Sequence, residues 1–403
     1  MPSIEMGSGA PDAGLSPMSK AFSFGVLRRF PDVEADNLVA VDATDRLVLD
    51  QAGAAVRAAS SGRVVVIGDR YGAMTLGAMA LLGAQDVRVH QDPITGEQAL
   101  AHNAIRVGLT TGFRQLALSP GLFAGAAVVI GQLPKNLEAL REIAQLAAAN
   151  ADADVRVFLG GRVKHMTHAM NDVLSESFAD VRASLGQQKS RVLMAGAPQR
   201  QMGLGVTAYP LKQHHEDLGL WVCAHGAAFA GTKVDMGTRF LLQFLNRMQP
   251  AASTAVDLGC GTGAIAAALA RARPMLSVVA TDQSAAAVSS AEATVAANGL
   301  TKRVRVLRDD AMSTLPDASV DLILCNPPFH LDTSVHTGAA LSLFEAAGRV
   351  IAPGGELWTV FNSHLPYPKA LSHLVGPTRV VGRNTKFTVA VSTRSGAGGM
   401  GVA

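Results

Sequence analysis

Asn326-Pro327-Pro328-Phe329 follows an apolar run, Val320-Asp321-Leu322-Ile323-Leu324-Cys325, and its residue types suit the grip of a flat amine. Prolines fix φ and carry no N–H, so the Asn326 side-chain oxygen and the Pro327 carbonyl remain as acceptors. Two acceptors can clasp one NH₂ group. An amine conjugated to a ring is a weak nucleophile, and holding both of its protons favours a more tetrahedral, reactive nitrogen. In-line placement against the electrophilic methyl of a sulfonium supplies the remainder, with no metal required. Phe329 can stack on the flat face of such a substrate. The plain alternative is a proline-rich turn with a core phenylalanine.

Earlier in the chain, Val256-Asp257-Leu258-Gly259-Cys260-Gly261-Thr262-Gly263 reads as a strand delivered into a glycine loop. Gly259, Gly261 and Gly263 can take positive φ and bring backbone N–H groups close to a ligand. A helix from Ala264 then points its amino terminus at a carboxylate or phosphate, which suits a dinucleotide as well as the methionine part of S-adenosylmethionine. Asp257 suits an ammonium, which a pyrophosphate would not want; the alternative is an Asp that caps the turn. Asp282, ending Ser277-Val278-Val279-Ala280-Thr281-Asp282, can accept from both ribose hydroxyls, or serve as an acid at a helix start. After Arg303-Val304-Arg305-Val306-Leu307-Arg308 come Asp309-Asp310-Ala311, where Asp310 is preferred over Asp309 for the adenine amino group, with Ala311 beside it. An acid on the ribose also serves NAD, so the Asn-Pro-Pro-Phe turn is what selects S-adenosylmethionine.

These residues need sheets to position them. A chain of 403 residues with 48% hydrophobic and 17% charged residues has material for two cores. Arg63-Val64-Val65-Val66-Ile67-Gly68 followed by Tyr71-Gly72-Ala73 reads as an earlier copy of strand, glycine loop and helix. A further strand ends at Asp92, matched here to Asp282, and Ala-rich helices then run to Asn103 and Asn298. Strands alternating with helices imply parallel sheets with right-handed crossovers. The expected fold is α/β, two tandem Rossmann-like class I methyltransferase domains, each a doubly wound, mostly parallel sheet. The first copy has Gly68-Asp69-Arg70-Tyr71-Gly72 in its loop and Ile130-Gly131-Gln132-Leu133-Pro134-Lys135 where the second has Asn326 to Phe329, so it is expected to be degenerate. Expected boundaries are 1–200 for that domain, 201–233 for a hairpin-like linker, 234–394 for the catalytic domain and 395–403 for a frayed tail.

His214 and His215 beside Glu216 and Asp217 read as a solvated loop and not as a metal site. Cys223, Cys260 and Cys325 fit neither a disulfide framework nor a metal knuckle. A net charge of +3 permits nucleic-acid binding without arguing for it. The first thirty residues lack the plan of a secretory signal, and no apolar run reaches the roughly 20 residues of a membrane span. A cytoplasmic protein with no membrane association is expected.

The motifs resemble the bacterial ribosomal RNA guanine-N2 methyltransferases, which pair a degenerate amino-terminal domain with a catalytic carboxy-terminal one, and the resemblance covers nearly the whole chain. Phe229 and Lys233-Val234-Asp235-Met236-Gly237-Thr238 are similar to the family's segment that folds over the cofactor. That similarity implies Thr238 as a cofactor contact and makes Asp235 and Gly237 candidates for cofactor or RNA. Further matches are Gly354-Gly355-Glu356-Leu357, Asn362-Ser363-His364-Leu365-Pro366-Tyr367 and Asn384-Thr385-Lys386-Phe387.

The resemblance implies methylation of a guanine N2 in ribosomal RNA, with Asn326, Pro327 and Phe329 catalytic, Asn326 also on the cofactor, and Pro328, Phe329, His330 and Lys386 on the substrate. Leu133-Pro134-Lys135-Asn136-Leu137 and Gly161-Arg162-Val163-Lys164-His165 look more like the large-subunit enzymes, favouring 23S over 16S RNA. The partner implied is ribosomal RNA, a ribosomal subunit or an assembly intermediate, met by a monomer. Arg162, Lys164, Lys189 and Arg191 are candidates for phosphate contacts, against the ordinary reading of solvated charge. The rival activities are adenine-N6 or protein glutamine methylation, where a Tyr is commoner at the position of Phe329. A noncatalytic RNA-binding assembly protein is the rival of another class, and the intact glycine loop with Asn326 argues against it.

Overall fold

The computed structural model describes residues 22–35, 38–200, 208–327 and 334–395. Pro328, Phe329 and His330, with the tail from 396, lie outside the described residues.

The first sheet comprises β1 (Val64–Ile67), β2 (Val87–His90), β3 (Phe113–Gln115), β4 (Val128–Gln132), β5 (Arg156–Arg162), β6 (Phe178–Ala183) and β7 (Ser190–Pro198). Its helices are α1 (Ala43–Ala58), α2 (Ala73–Leu82), α3 (Ile94–Val107), α4 (Pro120–Phe123), α5 (Leu137–Asn150) and α6 (His168–Ser175). A two-stranded hairpin follows, β8 (Leu211–His215) with β9 (Leu220–Ala224). The second sheet comprises β10 (Thr254–Leu258), β11 (Ser277–Asp282), β12 (Val304–Arg308), β13 (Val320–Cys325), β14 (Ile351–Asn362), β15 (Thr378–Arg383) and β16 (Phe387–Thr393). Around it are α7 (Met236–Leu242), α8 (Ala264–Ala272), α9 (Ala285–Ala297), α10 (Ser334–Val350) and α11 (Tyr367–Leu374).

The two sheets have one topology: β3-β2-β1-β4-β5-β7-β6 and β12-β11-β10-β13-β14-β16-β15. Five strands in each are parallel, and the last two pair antiparallel at one edge. The duplication and the mostly parallel doubly wound plan expected from sequence are therefore present. β1 is buried at all four residues, because a central parallel strand is covered by helices on both faces and so must be apolar throughout. Apolar clusters lie on both faces of each sheet, one set around Val64, Leu76 and Leu100 with Ile67, Phe123 and Leu140 opposite. Around the second sheet they gather Ile265, Leu269 and Trp358 on one side and Phe344, Phe361 and Leu371 on the other.

Register corrects one pairing read from sequence. Gly68 N donates to His90 O as Gly259 N donates to Thr281 O, both at 2.9 Å. Gln91, not Asp92, therefore occupies the place of Asp282. Sequence spacing missed this by one residue because β2 ends at His90, with the acid two positions beyond it. Ile67 likewise faces Gly131 as Leu258 faces Cys325, which sets Gln132 in the place of Asn326.

His214 and His215 belong to strand β8 and not to a loop; the turn is the segment after them, with Gly219 at φ 60°. His215 meets the Thr232 carbonyl at 2.8 Å and His214 meets Glu216 at 3.0 Å. β9 lies along α9, where Thr294 accepts from Cys223 N and Asn298 exchanges hydrogen bonds with the Trp221 backbone. No helix among the described residues is long and apolar enough to cross a membrane.

The domains meet through a reciprocal pair of bonds at the carboxyl ends of β2 and β11: Ile94 N to Gln283 O at 2.9 Å and Ala285 N to Asp92 O at 2.8 Å. Asp92 Oδ1 also accepts from Ser284 Oγ and Ala286 N, both at 2.9 Å, so an acid of the first domain caps α9 of the second. Elsewhere along the contact, the buried Glu142 carboxylate receives Gly226 N at 2.7 Å and meets His225 Nδ1 at 2.6 Å.

Candidate active site

At the end of β10, Gly259, Gly261 and Gly263 all have positive φ, at 72°, 52° and 74°. Their duties differ. A Cβ on Gly263 would come within 2.9 Å of Ala291 on α9, whereas one on Gly259 or Gly261 would meet no described atom within 4 Å. Gly263 thus serves helix packing, while the other two line open space at the head of α8.

Asp257 is 0% exposed; its Oδ2 accepts from Ala266 N at 2.9 Å and Oδ1 has no partner among the described residues. Burial pushes its carboxyl up to about 7 against the pull of the Ala266 bond, and Asp282 adds to the rise. Both readings of Asp257 are thus represented: one oxygen caps the helix and the other is a buried acceptor that a cation would satisfy. The Asp282 carboxylate receives Gly261 N at 3.0 Å and Ser284 N at 2.9 Å, and burial raises its pKa. Each oxygen keeps a lone pair for a further donor.

Beyond β12, Asp309 is locked inside its loop by Ser313 Oγ, Thr314 N and Thr314 Oγ1. Burial would raise its pKa, but these bonds outweigh it and hold the carboxyl low. Asp310 is partly exposed, and burial with the neighbouring Asp309 charge raises its pKa. Ala311 and Met312 turn the chain at positive φ, 48° and 57°. Arg308, just before this loop, reaches into the first domain, to Glu97 at 2.7 Å and to the carbonyls of Gln91 and Asp92 at 3.0 Å. The first domain therefore grips the chain just after Asp282 and just before Asp309 and Asp310.

Asn326 sits at the end of β13 and is held from α7. Asp235 caps that helix, accepting from Gly237 N at 2.8 Å and Thr238 N at 3.2 Å. Its second oxygen receives the Thr238 hydroxyl at 2.6 Å and Asn326 Nδ2 at 3.0 Å, and Nδ2 also reaches Thr238 Oγ1 at 2.9 Å. A carboxylate only accepts, so the amide must present its NH₂ to Asp235 and turn Oδ1 away. That Oδ1 is buried and without a partner among the described residues. The Asp-Met-Gly-Thr run is legible as a helix cap, but its contact with Asn326 spans 91 positions and has no local signal.

Lys386 stands on the turn before β16, its Nζ 5.3 Å from the centre of the Phe387 ring. Arg162, Lys164, Lys189 and Arg191 are exposed and gather where β5 ends beside the start of β7. Cys223, Cys260 and Cys325 are buried free thiols.

The first copy repeats the framework and changes the contents. Arg70, at φ 56°, stands in the place of Gly261, and Tyr71 in that of Thr262 donates its hydroxyl to Asp32. Gln132 donates to Asp45 at 2.6 Å, where Asn326 donates to Thr238. Arg70 and Tyr71 thus bring bulk into the loop, and Gln91 puts an amide in the place of the ribose-side acid Asp282.

Two family models match the chain, one in each half. Residues 17–199 match the RLMG N-terminal domain and residues 219–391 the methyltransferase small domain. The chain is 32% identical to the ribosomal RNA large subunit methyltransferase G of Streptomyces avermitilis, covering 93% of this chain and 98% of that protein. It is 34% identical to the protein of that name from Streptomyces coelicolor, over 90% and 96%, and 31% identical to that of Shewanella amazonensis, over 90% and 94%. Among solved structures, the T. thermophilus 16S rRNA N2 G1207 methyltransferase in complex with AdoMet and guanosine shares the fold. Its TM-score is 0.65 at 20% identity, over 86% of this chain and 92% of that one. S-adenosylmethionine is the cofactor, and the open glycine loop with the unpaired buried oxygen of Asp257 fits it.

Proposed function

Because this chain belongs to the ribosomal RNA large subunit methyltransferase G family, we propose that it methylates the exocyclic N2 of a guanine in 23S ribosomal RNA. One observation carries the choice of acceptor atom: the Asn326 amide, oriented by Asp235 and Thr238, offers a buried oxygen with no partner among the described residues. With the Pro327 carbonyl it accepts the two protons of an aromatic amino group and draws the nitrogen toward the reactive shape. Phe329 stacks on the base, with Pro328, His330 and Lys386 on the substrate side. S-adenosylmethionine, when bound, supplies an electrophilic methyl group. Asp257 takes its ammonium, Gly259, Gly261 and Gly263 its backbone approach, Asp282 its ribose, and Asp310 with Ala311 its adenine. Thr238 acts through Asn326. Residues 234–394 perform the reaction as part of a monomer and 1–200 position the RNA, free or in a subunit under assembly.

Incubation with methyl-tritiated cofactor and ribosomal RNA from cells lacking the gene, followed by digestion to nucleosides, is expected to yield labelled N2-methylguanosine. Label in N6-methyladenosine, or in protein glutamine, overturns the proposal.

A further inference from the structure

Asp235 does more than a helix cap needs. Its Oδ1 receives Gly237 N at 2.8 Å and Thr238 N at 3.2 Å, which completes the work of an N-cap on α7. Its Oδ2 takes the Thr238 hydroxyl at 2.6 Å and Asn326 Nδ2 at 3.0 Å, and neither donor belongs to the helix backbone. The first domain shows a cap without this second duty. Asp42 caps α1 through Thr44 N and Asp45 N, and Gln132 at the end of β4 bonds to Asp45 instead. Capping does not itself require an acid, since Asn and Ser cap as well.

The fold makes room for the carboxylate. Gly237 stands at the second position of α7, where a Cβ would come within 3.0 Å of Asp235 Oδ1 and 3.2 Å of the Phe387 ring. Arg239, one turn into the helix, donates to Val234 O at 3.2 Å and meets His215 Nδ1 of β8 at 3.1 Å. The residue before the cap is thereby pinned to the hairpin.

Hydrogen directions in this group follow from the charge. A carboxylate has no hydrogen to give, so the Thr238 hydroxyl must donate to it and keeps only lone pairs for Asn326. Asn326 Nδ2, 2.9 Å from Thr238 Oγ1, donates to both, and Oδ1 is left without a partner among the described residues. A reversed amide would set Oδ1 against two acceptors and forfeit both bonds. Bonds to a charged acceptor are also stronger, and they polarise the amide so that its oxygen accepts more strongly in turn. A neutral Asn at 235 removes both effects, because its own NH₂ can donate to Oδ1 and hold the amide reversed. The reversed amide would meet a substrate amine donor against donor.

We propose that Asp235 is a positioning residue for methyl transfer, whose negative charge fixes the direction of the Asn326 amide and strengthens its oxygen as an acceptor. This rests on the reading that the Asn326 oxygen receives the amino group of a guanine in RNA. Asp235 acts on that base only through Asn326.

The test compares the full chain with Asp235→Asn and Asp235→Ser, two substitutions that keep a good helix cap. Single-turnover methyl transfer to deproteinised ribosomal RNA, from cells lacking the gene, is expected to slow about 10²-fold in Asp235→Asn, as for loss of one preorganised polar group. Asp235→Ser, whose hydroxyl still accepts but carries no charge, should slow it about tenfold. Melting temperature and cofactor affinity should stay close to wild type in both. The double variant Asp235→Asn with Asn326→Ala should be no slower than Asn326→Ala, since a residue that works through the amide then has nothing to act on. Asp42→Asn, at the matching cap of the first domain, should transfer at the wild-type rate. Wild-type rates in Asp235→Asn overturn the inference and leave the substrate reading standing. Losses that multiply in the double variant give Asp235 a duty apart from Asn326 and also overturn it. So does a slowing matched in both single variants by a lower melting temperature or weaker cofactor binding, which returns Asp235 to capping alone. A wild-type chain that transfers no methyl group to RNA guanine removes the substrate reading and the inference together.

Discussion

The two halves of this molecule hold the same polar framework and differ in what it is aimed at. In both, an acid caps a helix, Asp42 or Asp235, and the first turn of that helix meets a carboxamide at the end of the fourth strand. In the first half the amide of Gln132 ends on Asp45, a buried side chain whose carboxyl is raised by desolvation to about 6. In the second, Thr238 replaces that acid and the shorter Asn326 turns an oxygen outward from the network. A duplicated fold can retain its hydrogen-bond scaffold while losing its chemistry, because scaffold bonds stabilise the domain whether or not a ligand binds.

The sharpest way to break that comparison is to remove each amide in turn. Asn326→Ala is expected to lower kcat by about 10²-fold, as for loss of one preorganised polar group, with cofactor affinity largely intact by calorimetry. Gln132→Ala should leave turnover unchanged; a comparable loss there would show that the first copy shares in the chemistry.

A second contrast concerns two buried acids, Asp257 and Asp69, each raised by burial to about 7. A raised folded-state pKa gives stability that is fully present below the unfolded value of about 4 and is lost as pH rises through about 7. Thermal unfolding of the cofactor-free chain should therefore move to lower temperature from pH 5 to pH 8. Saturating cofactor should cancel the Asp257 share alone, since its ammonium favours the ionised carboxylate. Cofactor affinity should correspondingly fall about tenfold per pH unit below about 7. In Asp257→Asn that dependence should vanish, and its persistence would remove Asp257 from the cofactor's ammonium.

A smaller effect probes the grip of one domain on the other. Asp92→Ala removes the bonds from Ser284 Oγ and Ala286 N that reinforce the Ser284 cap of α9 and should weaken cofactor binding by about fivefold, near 1 kcal/mol for lost capping bonds, without touching the salt dependence of RNA binding. Unchanged affinity would mean that the second domain holds the loop after Asp282 unaided. The smallest effect is expected from Arg70→Gly, which relieves a positive φ and should alter stability by less than about 1 kcal/mol. Calorimetry should still count one cofactor per chain, because Gln91 stands where Asp282 would be needed.

The glycine loop and the strands were legible in the sequence because each is a local property, while most of the Asn326-to-Phe329 turn lies outside the described residues. Positive φ favours glycine, and a covered parallel strand demands an unbroken apolar run. The position of Asp92 was misread by one residue for a related reason: an apolar pattern marks a strand but not the residue at which its pairing stops.

Tertiary structure alone decided which way the Asn326 amide faces, that Asp309 is spent inside its own loop, and that the first domain caps α9. It also gathered Arg162, Lys164, Lys189 and Arg191 where β5 ends beside the start of β7, and Arg383 and Lys386 at the turn between β15 and β16. These outcomes join residues as far apart as 194 positions and depend on strand order and register. No window of sequence contains both partners of such a contact, so the residues named the chemistry while the fold chose which atoms were left to perform it.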